Sequence, residues 1–261
     1  MIASTQPLFN SANRAFKWGD GVFETMKVHK GIILWAHLHF ERLYTSLRLL
    51  KINTTIQQQE LSNLVIELCF QNQCMALARV RLQFYREENT SGFVIEALPL
   101  TPDVNEFNTN GFSIDIYPYA RKAMDAIANL KSANFLPYIL AQMHAQEKGV
   151  DDCIVLNSND QLADTSKANL FLVSKGQLYT PSLQQGCVNG VMRRFLIDEL
   201  KQFGFVIHQQ AIQQKDLEDA DEVFLTNAIY GMRWVKTFRK RNYLNKISSQ
   251  IYMQLFSTIY Q

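Results

Sequence analysis

The stretch NLKSANFLPYILAQMHAQEKG, residues 129–149, carries one lysine, Lys131, at a point where an extended segment turns into a helix. Apolar residues recur at helical spacing after the lysine, and Lys148–Gly149 is typical of a helix end. Asn134 is placed to cap the start of the helix, and Pro137 would fall in the first turn, where a missing N–H costs little. The sequence therefore predicts a helix that follows Lys131 almost directly.

Lys131 has apolar neighbours on both sides, Leu130 before it and Phe135 and Leu136 after it. A lysine that loses part of its hydration has a lowered pKa, and its neutral amine can form a Schiff base. The commoner alternative is an ordinary surface lysine with a buried stem. This stretch alone does not choose between them, and the choice depends on the rest of the chain.

The composition excludes several classes of protein. The chain has 261 residues, 47% of them apolar, and a net charge of +2 with both signs mixed along it, which suits two globular domains and no nucleic-acid partner. No segment resembles a signal peptide or has the length of a membrane span. The cysteines match no common zinc spacing, so we expect reduced thiols, no metal and a cytoplasmic location. They are Cys69, Cys74, Cys153 and Cys187.

Two further patterns indicate anion binding without establishing it. In the alternating strand of residues 78–85, Arg79 and Arg81 share one face, which either lines an anion-binding cleft or forms a solvated sheet face. After Asn189–Gly190, a predicted helix begins near Val191 and presents backbone N–H groups at its positive end. Every helix has such an end, so this second pattern is a hint only.

Six separate stretches between Asn13 and Val235 carry a recognisable pattern. They are NRAFKWGDGVFET (13–25), HFERL (39–43), Lys131, ADTSKANLF (163–171), YTP followed by NGVMRR (179–194) and ADEVFLTNA (220–228). In this order and at these spacings they resemble the fold-type-IV pyridoxal-phosphate enzymes. This family includes branched-chain and D-amino-acid aminotransferases and 4-amino-4-deoxychorismate lyase.

The resemblance implies that pyridoxal 5'-phosphate is the cofactor. Lys131 matches the lysine that forms the Schiff base and later moves protons, and Arg42 matches the arginine that holds the cofactor phosphate. The residues that match the rest of the phosphate cup are Val191, Met192, Thr226, Asn227 and Ala228.

Asp164 lies where the family usually has a glutamate that faces the pyridine nitrogen and keeps it protonated. Because aspartate is one methylene shorter, we expect a longer contact, a bridging water or a shifted cofactor. A turn-capping role is the alternative for Asp164. Phe135 lies near a position where the branched-chain enzymes have a tyrosine, and its ring cannot donate a hydrogen bond.

The resemblance also implies the architecture, an α/β (α+β) fold with two domains. We expect a small α+β domain with an antiparallel sheet over residues 1–105. A polar linker follows, and residues 110–261 should form a larger cofactor-binding domain, a barrel-like β structure with helices around it. We expect Arg42 to come from the first domain and Lys131 and Asp164 from the second. A homodimer is expected as well.

Two motifs favour the lyase within this family. The residues around Asn189–Gly190 and Asn227–Ala228 are more similar to the lyase than to the aminotransferases. The lyase converts 4-amino-4-deoxychorismate to p-aminobenzoate and pyruvate in folate synthesis. Its substrate has two carboxylates, so arginines are candidate substrate ligands, although exposed arginine is common on any surface. The candidates are Arg79, Arg81, Arg86 and Arg233.

Two alternatives to the lyase remain open. One is an aminotransferase that acts on branched-chain or D-amino acids, since it shares the first chemical steps. The other is a family member that has lost catalysis, although it would have little reason to keep Lys131.

Overall fold

A computed structural model describes residues 9–87 and 90–260, and the chain divides into two compact units. The first unit holds the chain up to Pro99 together with Lys131–Phe135. The second unit holds Leu100–Leu130 and the chain from Leu136 onward. Lys131 thus groups with the first unit, whereas the sequence-based boundary assigned it to the second.

The first unit is an antiparallel sheet with helices. The sheet has the strand order β2-β1-β3-β4. The elements are α1 (Arg14–Trp18), β1 (Gly21–His29), β2 (Ile32–Ile33), α2 (Ala36–Leu49), α3 (Gln58–Gln71), β3 (Leu77–Arg86) and β4 (Ser91–Pro99).

The core of the first unit lies on one face of β1, as strand periodicity requires. Val22, Met26 and Val28 are buried there in a cluster that also includes Phe40 of α2. Burying each such side chain contributes roughly 1.5–3 kcal/mol relative to leaving it exposed. Glu24 belongs to the same period-two series of β1 and is also buried, so this apolar face carries one carboxylate.

Backbone hydrogen bonds explain why the Lys131 segment belongs to the first unit. The N–H of Phe23 donates to the carbonyl oxygen of Lys131 at 2.9 Å, and the N–H of Ala133 donates to Gly21 at 2.8 Å. A glycine is required at position 21, because a Cβ there would lie 2.3 Å from the carbonyl oxygen of Phe84 on the neighbouring strand β3. Lys131 is therefore held beside β1 like a short extra strand.

The second unit contains a mixed sheet with helices against it. Its first elements are a 3-10 helix (Pro102–Asn105), β5 (Phe112–Lys122), α4 (Leu136–Lys148), β6 (Asp152–Asn157), β7 (Leu162–Thr165), β8 (Asn169–Ser174) and β9 (Gln177–Pro181). They are followed by a 3-10 turn (Leu183–Gln185), α5 (Val191–Gln202), β10 (Ile207–Gln210), α6 (Gln214–Asp219), β11 (Glu222–Asn227), β12 (Gly231–Phe238), β13 (Arg241–Asn242) and α7 (Lys246–Ile259).

The sheet of the second unit is curled. Its strand order is β10-β9-β8-β11-β12-β5-β6-β7, with β13 paired to β12. The terminal strand β7 also contacts β8 and β9, which lie near the other end of this order. An apolar cluster with members on β5, β6, β8, β11 and β12 fills the curled sheet. This is the barrel-like β structure that the sequence predicted.

Helix α4 exists as predicted, but its packed face differs from the apolar stripe in the sequence. Its buried residues are Tyr138, Ala141, His144 and Ala145. The stripe residues Leu136, Ile139 and Met143 are instead 65%, 46% and 50% exposed. The helix begins at Leu136, so Asn134 does not directly precede it as a cap. Within the described ranges, no helix has the length and hydropathy needed to cross a bilayer.

Candidate active site

The first unit holds a buried ion pair built on β1 and α2. Nε and Nη2 of Arg42 donate to the two carboxylate oxygens of Glu24 at 2.7 and 2.6 Å. Nδ1 of His39, one helical turn before Arg42, lies 2.6 Å from Oε2 of the same carboxylate. Such a bidentate pair fixes the plane of the guanidinium. Glu24 and His39 therefore orient Arg42.

The charge states of this cluster follow from burial and neighbours. Burial alone would raise the pKa of Glu24, but attraction to Arg42 and hydrogen bonds from His39 and Arg42 lower it to about 2. Burial lowers the pKa of His39, and the charges of Arg42 and Lys131 act in the same direction. His39 is thus a neutral imidazole that donates from Nδ1. Its buried Nε2 has no hydrogen-bond partner among the described residues.

Lys131 is half-buried, and its amine lies against aromatic rings of the first unit. Nζ is 4.5 Å from the ring centroid of Phe23 and 5.1 Å from that of Phe135. The two rings meet edge to face at 5.2 Å. Phe135 therefore packs beside the lysine as an apolar wall and supplies no hydroxyl.

Two of the four candidate substrate arginines have structural partners in the first unit. Arg86 donates to Asp20 and to the carbonyl oxygens of Leu50 and Lys51, which uses four of the five N–H donors of its guanidinium. Arg79 is paired with the carboxylate of Glu96 at 3.2 Å. Both arginines thus already have an acidic partner within the first unit.

The other two candidate substrate arginines, Arg233 and Arg81, differ from each other. Arg233, in the second unit, is buried and donates to four backbone carbonyls, which makes it a clamp on the chain around residues 104–106. Arg81 stacks on the ring of Phe23 at 3.8 Å, donates to Gln83, and forms no ion pair within the described part of the chain. Because Lys131 also lies over Phe23, the structure brings Arg81 and Lys131 to one aromatic ring.

The second unit holds Asp164 in a hydrogen-bonded pocket. Its Oδ2 accepts hydrogen bonds from the hydroxyl of Tyr138 at 2.7 Å, the N–H of Val188 at 2.9 Å and Nζ of Lys122 at 3.3 Å. Its Oδ1 accepts from Nδ2 of Asn169 at 2.7 Å. These contacts go far beyond the capping of one turn, the alternative that the sequence left open.

A β-bulge aims Asp164 into this pocket. Leu162 pairs with Leu156 and faces the apolar cluster, whereas Asp164 pairs with Val155. Val155 and Leu156 are consecutive, so their side chains point to opposite faces of the sheet. Asp164 therefore faces away from the apolar cluster, although it stands only two residues from Leu162. Bulges commonly re-aim side chains next to active sites in this way.

The start of α5 presents backbone donors without a side-chain cap. Its N-cap, Gly190, has no side-chain cap, so the N–H groups of Val191 and Met192 point outward at the positive helix end. A Cβ on Gly190 would lie 1.8 Å from Oδ1 of Asn169, which makes glycine necessary there. Thr226 pairs directly with Asn169, and its buried Oγ1 has no partner among the described residues.

Asn227 and Ala228 were also predicted for the phosphate cup, but the side chain of Asn227 already has hydrogen-bond partners. Its Oδ1 accepts from the N–H groups of Ile229 and Tyr230, and its Nδ2 donates to the carbonyl oxygen of Lys167. It shapes the turn that contains Ala228. Of the predicted side chains in the cup, Thr226 is thus the one with an available hydroxyl.

Arg193 adds a buried positive charge to the first turn of α5. Its Nη2 donates to the carbonyl oxygen of Pro181 and to Gln209, while Nε has no partner within the described chain. Burial lowers the pKa of Arg193. A buried guanidinium with only neutral acceptors favours an anion at the nearby helix start.

Comparison with known proteins agrees with this chemistry. The family description "Amino-transferase class IV" matches residues 21–238. The chain belongs to the class IV aminotransferase family. Members of the family are pyridoxal-phosphate-dependent aminotransferases or aminodeoxychorismate lyases, so this protein is an enzyme.

The relatives carry both kinds of activity in their names. A putative branched-chain-amino-acid aminotransferase of Methanocaldococcus jannaschii is 28% identical over 221 residues, 80% of this chain and 75% of the relative. The aminodeoxychorismate lyase of Bacillus subtilis is 27% identical over 226 residues, 83% and 77% of the two chains.

A solved structure supports the same family. The crystal structure of a putative 4-amino-4-deoxychorismate lyase from Legionella pneumophila superposes with a TM-score of 0.87 at 26% identity and covers 97% of this chain and 96% of that chain. The predicted fold class is thereby confirmed.

These residues fit pyridoxal phosphate. The uncapped start of α5 and the unpartnered hydroxyl of Thr226 suit a phosphate, and the carboxylate of Asp164 suits a protonated ring nitrogen. In the first unit, the amine of Lys131 suits an aldehyde. The chemistry of the donor set therefore matches the cofactor that the family uses.

Sequence reasoning missed several residues that shape the site: Glu24, His39, Tyr138 and Arg193. Glu24 and His39 lie inside motifs that carried the resemblance, and Glu24 had a readable signal. It is the one charged residue in the period-two series Val22, Met26, Val28 on a strand face that is otherwise apolar. Tyr138 and Arg193 had no comparable signal.

Proposed function

We propose that this protein is a pyridoxal-phosphate-dependent lyase that converts 4-amino-4-deoxychorismate to p-aminobenzoate and pyruvate. The observation that carries the proposal is the pairing of Lys131 with Arg81 at the ring of Phe23. A second, partly desolvated cation thus lies beside the reactive amine, as a substrate with two carboxylates requires. Its cross-strand neighbour Glu96 attracts Arg81 but forms no ion pair with it among the described residues. The lyase names of a relative and of a structural neighbour support the same reaction.

In this proposal the groups that would hold the cofactor phosphate are Arg42 in the first unit and, in the second unit, the N–H groups of Val191 and Met192 and the hydroxyl of Thr226. The planar guanidinium of Arg42, oriented by its two hydrogen bonds to Glu24, matches the geometry of a phosphate. The turn at Asn227–Ala228 closes the cup through its backbone.

The bound cofactor supplies an electron sink for the carbon next to the substrate amine. Asp164 would hold the ring nitrogen, and Nζ of Lys131 would hold the cofactor aldehyde. Once free, the same amine would accept the proton from the substrate carbon. The rings of Phe23 and Phe135 shield part of this half-buried amine from water.

Arg81 is the substrate ligand that the geometry supports best among the four candidates. Guanidinium binds carboxylate through two parallel hydrogen bonds. Burial lowers the pKa of Arg81, with the charge of Arg79 adding to the effect, so a bound carboxylate would relieve a partly desolvated cation.

We also propose a cytoplasmic homodimer. The exposed apolar residues Leu136, Ile139 and Met143 of α4 favour a covered surface in the assembly. The four cysteines are all free and buried, as expected in a reducing compartment. Light scattering of the purified protein would test the assembly, and a monomer at micromolar concentration would refute it.

The reaction is tested by incubating the cofactor-loaded protein with 4-amino-4-deoxychorismate and no keto acid. Multiple turnovers to equal amounts of p-aminobenzoate and pyruvate would establish the lyase. The relatives named as aminotransferases favour one alternative. In that case amino acids would convert the bound cofactor to its pyridoxamine form, and no p-aminobenzoate would appear. A protein that is inert in both assays would be the non-catalytic family member.

A further inference from the structure

Asp164 is 3% exposed and has more donors than a carboxylate needs for orientation alone. Three of them converge on Oδ2, namely the hydroxyl of Tyr138, the N–H of Val188 and the ammonium of Lys122. Oδ1 accepts one hydrogen bond, from Asn169. A carboxylate has about four lone-pair sites, two on each oxygen. Oδ2 is therefore full, and Oδ1 keeps one site for a further donor.

Tyr138 and Lys122 reach Asp164 from two different elements, α4 and β5. Nζ of Lys122 also lies 5.2 Å from the ring centroid of Tyr138, so the three side chains form one compact group. Burial raises the pKa of Tyr138 well above its usual value, and the charge of Asp164 adds to this. The phenol therefore remains protonated and acts as a donor to Oδ2.

Two other titratable groups face Asp164. The pKa of the Cys187 thiol is raised by burial to about 12, with Asp164 contributing, so this thiol is neutral. Arg193 adds a positive charge from α5 that interacts with Asp164. Lys122 and Arg193 are thus the charged neighbours of Asp164, and both withdraw negative charge from it.

The hydrogen bonds and the cation on Oδ2 draw on the negative charge that the two carboxylate oxygens share. Less of that charge remains on Oδ1 to accept from a further N–H group. The consequence concerns the one open site on Oδ1, which the proposed function assigns to the ring nitrogen of the cofactor.

We propose that Tyr138 and Lys122 are positioning residues that act through Asp164 and lower the proton affinity of the cofactor's ring nitrogen. This inference rests on the proposed function. It replaces the expectation that the shorter aspartate merely lengthens the contact, since the carboxylate is also weakened by its own donors. A weaker electron sink suits a reaction whose product gains aromaticity, because the release of pyruvate then needs less help from the ring.

The test uses full-length protein loaded with cofactor that carries a ¹⁵N label at the ring nitrogen. The nitrogen shift is followed against pH in wild type, Tyr138→Phe, Lys122→Met and Asp164→Asn. We expect the apparent pKa of the ring nitrogen to rise by roughly half a unit to one unit in Tyr138→Phe and in Lys122→Met. In Asp164→Asn it should fall below the wild-type value, because the carboxylate that holds the proton is gone.

Tyr243→Phe is the matched control, because it removes another buried hydroxyl of the second unit. That hydroxyl donates to the carbonyl oxygen of Leu217 at 2.7 Å. The control should lose stability as Tyr138→Phe does, while its ring-nitrogen pKa stays at the wild-type value. Lys122→Met keeps the test available if Tyr138→Phe does not fold.

The outcomes separate this inference from the function on which it rests. If Asp164→Asn shifts the ring nitrogen but Tyr138→Phe and Lys122→Met do not, the positioning role is wrong and the assignment of Asp164 stands. If wild type binds the cofactor and Asp164→Asn changes nothing, Asp164 does not face the ring and the inference falls with that assignment. If wild type binds no cofactor, both the inference and the proposed function are wrong.

Discussion

Two buried carboxylates, one in each unit, are held in opposite ways. Glu24 is 2% exposed and receives a full counter-charge through the two hydrogen bonds of Arg42, with His39 as a third donor. Asp164 is equally buried but is held mainly by neutral donors, with its one direct cation, Lys122, at 3.3 Å. Glu24 is bound tightly to one partner, whereas Asp164 keeps an open site on Oδ1.

This difference separates two uses of a buried charge. Removing one member of a buried ion pair leaves the other without compensation, so the loss appears as stability. Changing a carboxylate that faces a ligand alters the chemistry of that ligand. Loss of Glu24 should therefore appear first in folding, and a change of Asp164 first in the cofactor. The proposed chemistry of the first unit rests on Lys131, Arg42 and Arg81.

The largest expected effect comes from Lys131→Ala, which breaks the chemistry of the first unit. The account predicts loss of the visible absorbance of the bound cofactor and a fall in turnover of roughly 10³-fold or more, since both nucleophile and proton carrier are removed. The unfolding transition should change little, because Lys131 is paired with β1 through its backbone. Turnover at the wild-type rate would refute the role of Lys131.

Glu24→Gln should produce the largest loss of stability. It keeps the shape of the side chain and removes the counter-charge of Arg42, so the free energy of unfolding should fall by about 3–5 kcal/mol. Chemical denaturation of the two proteins measures this directly. Glu96→Gln is the matched control, because its partner Arg79 is on an exposed face and the pair contributes at most about 1 kcal/mol. Equal losses in both variants would contradict the comparison.

Low pH should destabilise the protein through the same cluster of Glu24, Arg42 and His39. The pKa of Glu24 is lowered from 4.5 to about 2 in the folded protein, so its contribution to stability is present above about pH 4.5 and is lost as the pH falls toward 2. Burial lowers the pKa of His39, which adds a loss that begins below its usual value of 6.5.

The measurement is the pH dependence of the free energy of unfolding in wild type and Glu24→Gln. Below about pH 4.5 the two curves should converge, because the other carboxylates titrate alike in both proteins. Parallel curves down to pH 2 would show that Glu24 is not the group responsible.

The smallest of these effects concerns substrate binding. Arg81→Met should raise the KM for 4-amino-4-deoxychorismate by about 10–100-fold, the usual range for a lost hydrogen bond to a charged group. Cofactor affinity should not change. Arg79→Met, two residues away on the same strand face, should leave the KM within about twofold, because its partner is Glu96. If both substitutions behave alike, the assignment of Arg81 is wrong.

The sequence was informative where function depends on local motifs. Lys131 and Arg42 each stand inside a short segment whose order along the chain matched a family, and the helix that follows Lys131 was visible from periodicity. The stripe of α4 was misleading as a guide to packing, because the same helical spacing describes a buried face and an exposed one. Only tertiary contacts distinguish the two.

The surroundings of Asp164 could not be predicted from the sequence. Its aim depends on a bulge opposite Val155 and Leu156, which shifts a two-residue period by one position. Tyr138 lies 26 residues before Asp164, and their hydrogen bond requires both α4 and that bulge. Contacts of this kind arise from register and packing, neither of which leaves a local pattern.

The proposed role of Lys131 is to bind the cofactor aldehyde. Reducing the cofactor-loaded protein with borohydride, digesting it and locating the modified lysine by mass spectrometry tests this role. We expect one phosphopyridoxyl group per chain, on the peptide that contains Lys131. Modification of another lysine, or none above the level found in unfolded protein, would contradict it.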